Sequence, residues 1–81
     1  MATGGSAGGK AYVVRDANVV QRVGEGEVTR VYPYTLKGLM EALEEARFQS
    51  FGGKTQVVAV VAGRRSTVIR RYEGGHEVPV T

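Results

Sequence analysis

The stretch Gln56-Val57-Val58-Ala59-Val60-Val61-Ala62 decides the fold of this chain. It is the one long β-branched apolar run, it is bounded by Gly52-Gly53 and Gly63, and it is too short for an independent helix. Side chains alternate across a strand, so Val57, Ala59 and Val61 point to one face and Val58, Val60 and Ala62 to the other. Both sets are apolar. A strand wetted on one face would alternate apolar with polar residues, so this one is predicted to be central and covered on both sides.

Downstream of it, Gly63-Arg64 forms a tight turn and Arg65 to Tyr72 pairs back on the central strand. Simple alternation puts Arg65, Thr67, Ile69 and Arg71 on one face of that strand and Ser66, Val68, Arg70 and Tyr72 on the other. Gly74-Gly75 makes a further turn. His76 to Val80 then adds a short last strand, which Pro79 confines to an edge.

Upstream lies a helix. Pro33 stops the preceding strand, Thr35 is a suitable N-cap, and Tyr34 is placed to pack on Leu39. Gly38 occupies the position a capping-box Glu would take. Leu36, Leu39, Met40, Leu43 and Ala46 recur at three- and four-residue steps as one apolar stripe, with Lys37, Glu41, Glu44 and Glu45 on the other side. The same steps bring Arg47 near the stripe and Phe48 near the acidic face. Gly52-Gly53 closes the helix. Before it, Lys10 to Arg15, Asn18 to Val23 and Glu27 to Tyr32 read as strands, separated by turns at Asp16-Ala17-Asn18 and Gly24-Glu25-Gly26.

The expected fold is therefore α+β, an antiparallel sheet of four to five strands with one helix on one face, in the order β-β-β-α-β-β. Residues 1–9, rich in glycine and alanine, read as a flexible leader, and 10–81 as a single small domain. A helix of about 14 residues spans about 21 Å and covers one face of such a sheet. The reverse face is expected to find cover from the sheet curling on itself, a second copy or another protein, and a homodimer joined through that face or through an edge strand is the expected arrangement.

Composition narrows the chemistry. With 42% hydrophobic and 23% charged residues the chain is ordinary for a globular protein. The absence of cysteine removes disulfides, thiolate nucleophiles and cysteine-ligated metals. No apolar run reaches the roughly 18 residues of a membrane helix, and no secretory pattern opens the chain, so a cytoplasmic location with no membrane partner is expected. Gly4-Gly5-Ser6-Ala7-Gly8-Gly9-Lys10 spells a phosphate-loop pattern, but no strand precedes it, Ala11 replaces the magnesium-binding Ser or Thr, and a strand rather than a helix follows. The single histidine, His76, has no serine or cysteine at a catalytic spacing, and Glu41, Glu44 and Glu45 read as a solvated helix face. No enzyme, cofactor, metal site or small-molecule substrate is expected.

One feature rises above this background. The net charge is +3, yet Arg47, Lys54, Arg64, Arg65, Arg70 and Arg71 follow one another from Ala46 to Tyr72 with no acid between. That segment carries +6, leaving 11 − 6 = 5 bases and 8 acids, or −3, for the rest. Arg64, Arg65, Arg70, Arg71 and Tyr72 are accordingly the candidate binding residues, for a protein partner or for nucleic acid. The sequence reads as a small non-enzymatic binding module acting by protein association or self-association through its sheet face and basic hairpin. The alternative is a nucleic-acid-binding accessory protein that sets its arginines on phosphates and Tyr72 against a base.

Overall fold

The computed structural model describes residues 9–17 and 30–80. Within them the chain forms β1 (Lys10–Asp16), β2 (Arg30–Pro33), α1 (Leu36–Ser50), β3 (Gln56–Ala62), β4 (Arg65–Glu73) and β5 (His76–Val78). The strands make one sheet in the order β2-β1-β3-β4-β5, and every pairing is antiparallel. The α+β architecture is the one the sequence predicts, with the valine-rich β3 at its centre. The predicted strand at 18–23 and the turn after it lie outside the described residues, as do positions 27–29 of the next strand. The last strand ends at Val78, just before Pro79. β2 and β3 run the same way with β1 between them, and α1 connects them across the sheet, a split β-α-β unit.

The helix starts where its capping chemistry says it should. Thr35 is extended (φ −138°, ψ 167°), and its Oγ1 accepts a 2.9 Å hydrogen bond from the Gly38 amide. Gly38 stands in place of a capping-box Glu for a steric reason: a Cβ there would collide with the Pro33 carbonyl oxygen. Tyr34 stacks on Tyr12 at 4.9 Å between centroids, and this fixes the chain's entry into the helix.

The face α1 turns to the sheet differs from the predicted stripe. Gly38, Ala42, Ala46 and Ser50, four residues apart, are its buried positions, with Leu39 and Leu43 partly buried beside them. Leu36 and Met40, expected in the core, are 74% and 61% exposed. Small side chains let the helix axis approach the sheet closely, so the helix settles on its narrow side and its bulkier residues are pushed to the flanks. Beneath it Tyr12, Val14, Val58 and Tyr72 complete the core with Ala42 and Ala46.

β3 is buried from Gln56 to Ala59, with side chains on both faces out of solvent. On the face away from the helix, Val13, Val57 and Ala59 are 4%, 3% and 0% exposed within the single chain. The centre of that face is therefore already out of solvent within one chain. In the register Arg15 and Arg71 stand on either side of Val57.

The far end of α1 is fastened to the β4–β5 turn. Ser50, fully buried, accepts a 2.8 Å bond from the Gly75 amide and donates a 2.7 Å bond to the Arg47 carbonyl. Arg47 Nε in turn donates to the Gly75 carbonyl at 3.1 Å, and its guanidinium lies 5.8 Å from the Phe51 ring centroid. Gly75 has φ +84°, and a Cβ there would strike the Phe51 ring, so both conformation and space require glycine. This explains why Arg47 sits on the apolar side of the helix: it reaches the turn.

Three outcomes follow for stability. Gly38→Ala, which in an open helix would gain about 1 kcal/mol, should lose about 1–3 kcal/mol in urea denaturation because the methyl meets backbone. Ser50→Ala should cost about 1–3 kcal/mol by stranding the buried Gly75 amide. Burial raises the phenol pKa of Tyr12, Tyr32 and Tyr72 above 10.0, and the Glu77 carboxylate adds to the effect at Tyr72. The unfolded tyrosines ionise first, so stability should be intact below pH 10 and fall as pH rises through the higher folded values. Alkaline unfolding followed by tyrosinate absorbance checks this.

Candidate functional site

The predicted site residues are not one cluster. β4 carries a bulge opposite Val58/Ala59: Arg70 pairs with Val58 and Val68 with Ala59, leaving Ile69 as the extra residue. Alternation therefore resets in mid-strand. Arg65 and Thr67 share the helix-side face with Arg70 and Tyr72, and Ser66 and Val68 share the reverse face with Arg71. Simple alternation had placed Arg65 opposite Arg70 and Tyr72.

Each member then has a distinct setting. Tyr72 is 6% exposed in the core under α1, so its ring is not offered to a stacking base. Arg70 Nε lies 3.5 Å from a Glu77 carboxylate oxygen on the helix side, and its Nη1 donates to the Ile69 carbonyl at 2.8 Å. Arg71 Nε meets Glu73 at 3.4 Å on the reverse side. Both guanidiniums have local carboxylate partners that the run of bases in the sequence conceals, because Glu73 enters only at the end of β4 and Glu77 only after the turn at Gly74-Gly75.

Arg64 and Arg65 differ. They sit at the β3–β4 turn, where Gly63 supplies a positive φ of 61°, and both are exposed. Among the described residues no carboxylate lies within salt-bridge distance of either. With Ala62 they line an open depression of about 540 Å³.

A second surface escaped the sequence reading. Leu36, Met40 and Phe48 are 74%, 61% and 67% exposed on α1, and Phe51, 61% exposed just beyond it, lies over Gly75 of the β4–β5 turn. Glu41, Glu44 and Glu45 with Tyr32 and Phe48 line a shallow cavity of about 300 Å³ along one flank, and Arg30 binds Glu45 there at 3.1 Å. The signal that would have revealed this face is the strict four-residue spacing of Gly38, Ala42, Ala46 and Ser50, which marks the packed side of the helix and leaves the large residues outside.

His76 is exposed at the start of β5, and among the described residues no group of three or more His, Asp or Glu is arranged to hold a metal. No described helix is long and apolar enough to cross a membrane. Compared with known proteins, the chain matches no family model, no curated protein and no solved structure.

The Arg70–Glu77 pair is 43% and 57% exposed, so solvent screens it. A double-mutant cycle on Arg70→Ala and Glu77→Ala should return a coupling of about 1 kcal/mol or less that shrinks with added salt. A larger, salt-insensitive coupling would mean that the pair is structural.

Proposed function

We propose that this protein is a small non-catalytic association module that pairs with a second copy of itself through the exposed side of α1. One observation carries the reading: Gly38, Ala42, Ala46 and Ser50 line the helix's contact with the sheet, flanked by the partly buried Leu39 and Leu43, while Leu36, Met40 and Phe48 are left toward solvent. A monomer gains most by burying its largest apolar side chains, about 1.5–3 kcal/mol each. This chain leaves these three outside, while its largest fully buried apolar side chain is a valine.

The size of the surface and its charge favour a second copy. The exposed parts of Leu36, Met40 and Phe48 offer roughly 400 Å² per copy, so a symmetric pair buries about 800 Å² of them, and the polar side chains interspersed among them bring the total to the roughly 1,000 Å² of a specific interface. Lys37, Glu41, Glu44 and Arg47 intersperse the patch with two charges of each sign, so two copies of it meet without net repulsion. A domain with so thin a core also gains stability from association by mass action. This reading keeps the self-association expected from sequence and moves it from the reverse sheet face, where Val13, Val57 and Ala59 are already buried, to the helix.

Sedimentation equilibrium up to about 100 µM tests it, a range that detects dissociation constants down to the weak micromolar class. The wild-type chain should be dimeric, and Met40→Glu with Phe48→Glu should be monomeric with an unchanged circular dichroism spectrum, because both side chains project from the surface. A monomeric wild-type chain throughout that range would refute the proposal.

A further inference from the structure

Among the described residues three arginines form salt bridges, all toward one end of the sheet: Arg30 with Glu45 at 3.1 Å, Arg71 with Glu73 at 3.4 Å and Arg70 with Glu77 at 3.5 Å. The opposite end, about 20 Å away along a seven-residue β3, is built from the start of β1, the end of β2, the first turn of α1 and the β3–β4 turn. The register aligns Lys10, Ala62 and Arg65 in one row there, Ala11 faces Pro33 next to it, and the Thr35 amide bonds the Pro33 carbonyl at 2.9 Å. Lys37 follows in the first turn of the helix, which contains no acid. The described residues at this end, 9–11, 33–37 and 61–66, include no Asp or Glu; Lys37, Arg64 and Arg65 are exposed there, and Lys10 is already engaged, its ammonium lying over the Tyr34 ring.

We infer that this end of the molecule, with Arg64 and Arg65 as its contact residues and Lys37 beside them, is a binding surface for the phosphate backbone of a nucleic acid. Its contact residues Arg64 and Arg65 lie apart from the helix-mediated pairing surface, which meets this end only at Leu36 and Lys37 in the first turn of α1. The inference differs from a reading of the whole basic hairpin: Arg70 and Arg71 are held by Glu77 and Glu73, and Tyr72 is in the core.

The geometry selects the class of anion. Arg64 and Arg65 project from a convex turn, and the depression beside them is lined by Ala62 and the two arginines alone, so no convergent set of donors encloses a single small phosphate. Cations spread over an outward-facing end suit a polymer that presents charge repeatedly, with affinity drawn from counterion release. The aromatic ring nearest this end, Tyr34, is half-buried, stacked on Tyr12 and capped by the Lys10 ammonium 5.5 Å from its centroid. It is not presented for base stacking, so contact is with the backbone and carries no sequence preference.

The test compares two double variants of equal net charge. Fluorescence anisotropy with labelled single-stranded and duplex oligonucleotides of about 20 nucleotides, across a salt series, gives the slope of log affinity against log salt, about 0.9 per phosphate contacted on duplex. Arg64→Ala with Arg65→Ala should flatten the duplex slope by about 2 and weaken binding, whereas Arg70→Ala with Arg71→Ala should leave the slope unchanged. Circular dichroism confirms that both variants fold. Equal losses in the two variants would mean that net charge alone acts, and an absence of wild-type binding at about 50 mM salt would remove the surface altogether. Full displacement of the oligonucleotide by millimolar inorganic phosphate at constant ionic strength would assign the end to a small anion and overturn the nucleic-acid inference.

Discussion

The close seat of one helix on the sheet is the constraint from which the other features follow. Gly38, Ala42, Ala46 and Ser50 bring α1 down until Gly38 touches the Pro33 carbonyl and Ser50 bonds the Gly75 amide. Such a seat excludes large side chains from the contact line, so bulk must enter from the sheet or leave for solvent. It enters as Tyr12 and Tyr72, on either side of β3, and it leaves as Leu36, Met40 and Phe48. The same seat explains both glycines at the helix ends of the contact: one at Pro33, where a methyl has no room, and one at Phe51, where a ring fills the space.

The architecture was legible from the sequence where one element type dominated its segment. The valine run could only be a buried strand, and Pro33 and Thr35 marked the helix start to the residue. The orientation of the helix was not legible, because hydrophobicity ranks Leu36 and Met40 above Ala42 and Ser50 while packing at close range selects for size instead. The face assignments along β4 were lost at a single residue. A bulge at Ile69 inverts everything after it, and period-two counting has no term for an inserted residue.

The candidate site was legible only as a count of charges. A run of arginines without an acid in sequence is not a run without an acid in space, because an antiparallel hairpin folds later residues back on earlier ones. The turn at Gly74-Gly75 brings Glu77 beside Tyr72 and within reach of Arg70, while Glu73 turns to Arg71. Arg64 and Arg65 escape this pairing because they are the turn: among the described residues, the end of β3, the first residues of β1 and the helix start around them supply alanine, lysine and threonine and no carboxylate. Position in the topology, more than position in the chain, separates the arginines whose charge is matched from those whose charge is projected.

The two proposed surfaces can operate together because they place different demands on the fold. Pairing through α1 draws on apolar area and is insensitive to salt, and it would stabilise the helix seat on which the core depends. The arginine turn contributes little to that core: Gly63, Arg64 and Arg65 are all exposed. A dimer would carry two such ends, and two weak phosphate contacts held at a fixed spacing bind a polymer far more tightly than either alone. Under the proposed pairing the thin core becomes part of the functional logic, since the same contact that would add stability would present the cations in pairs.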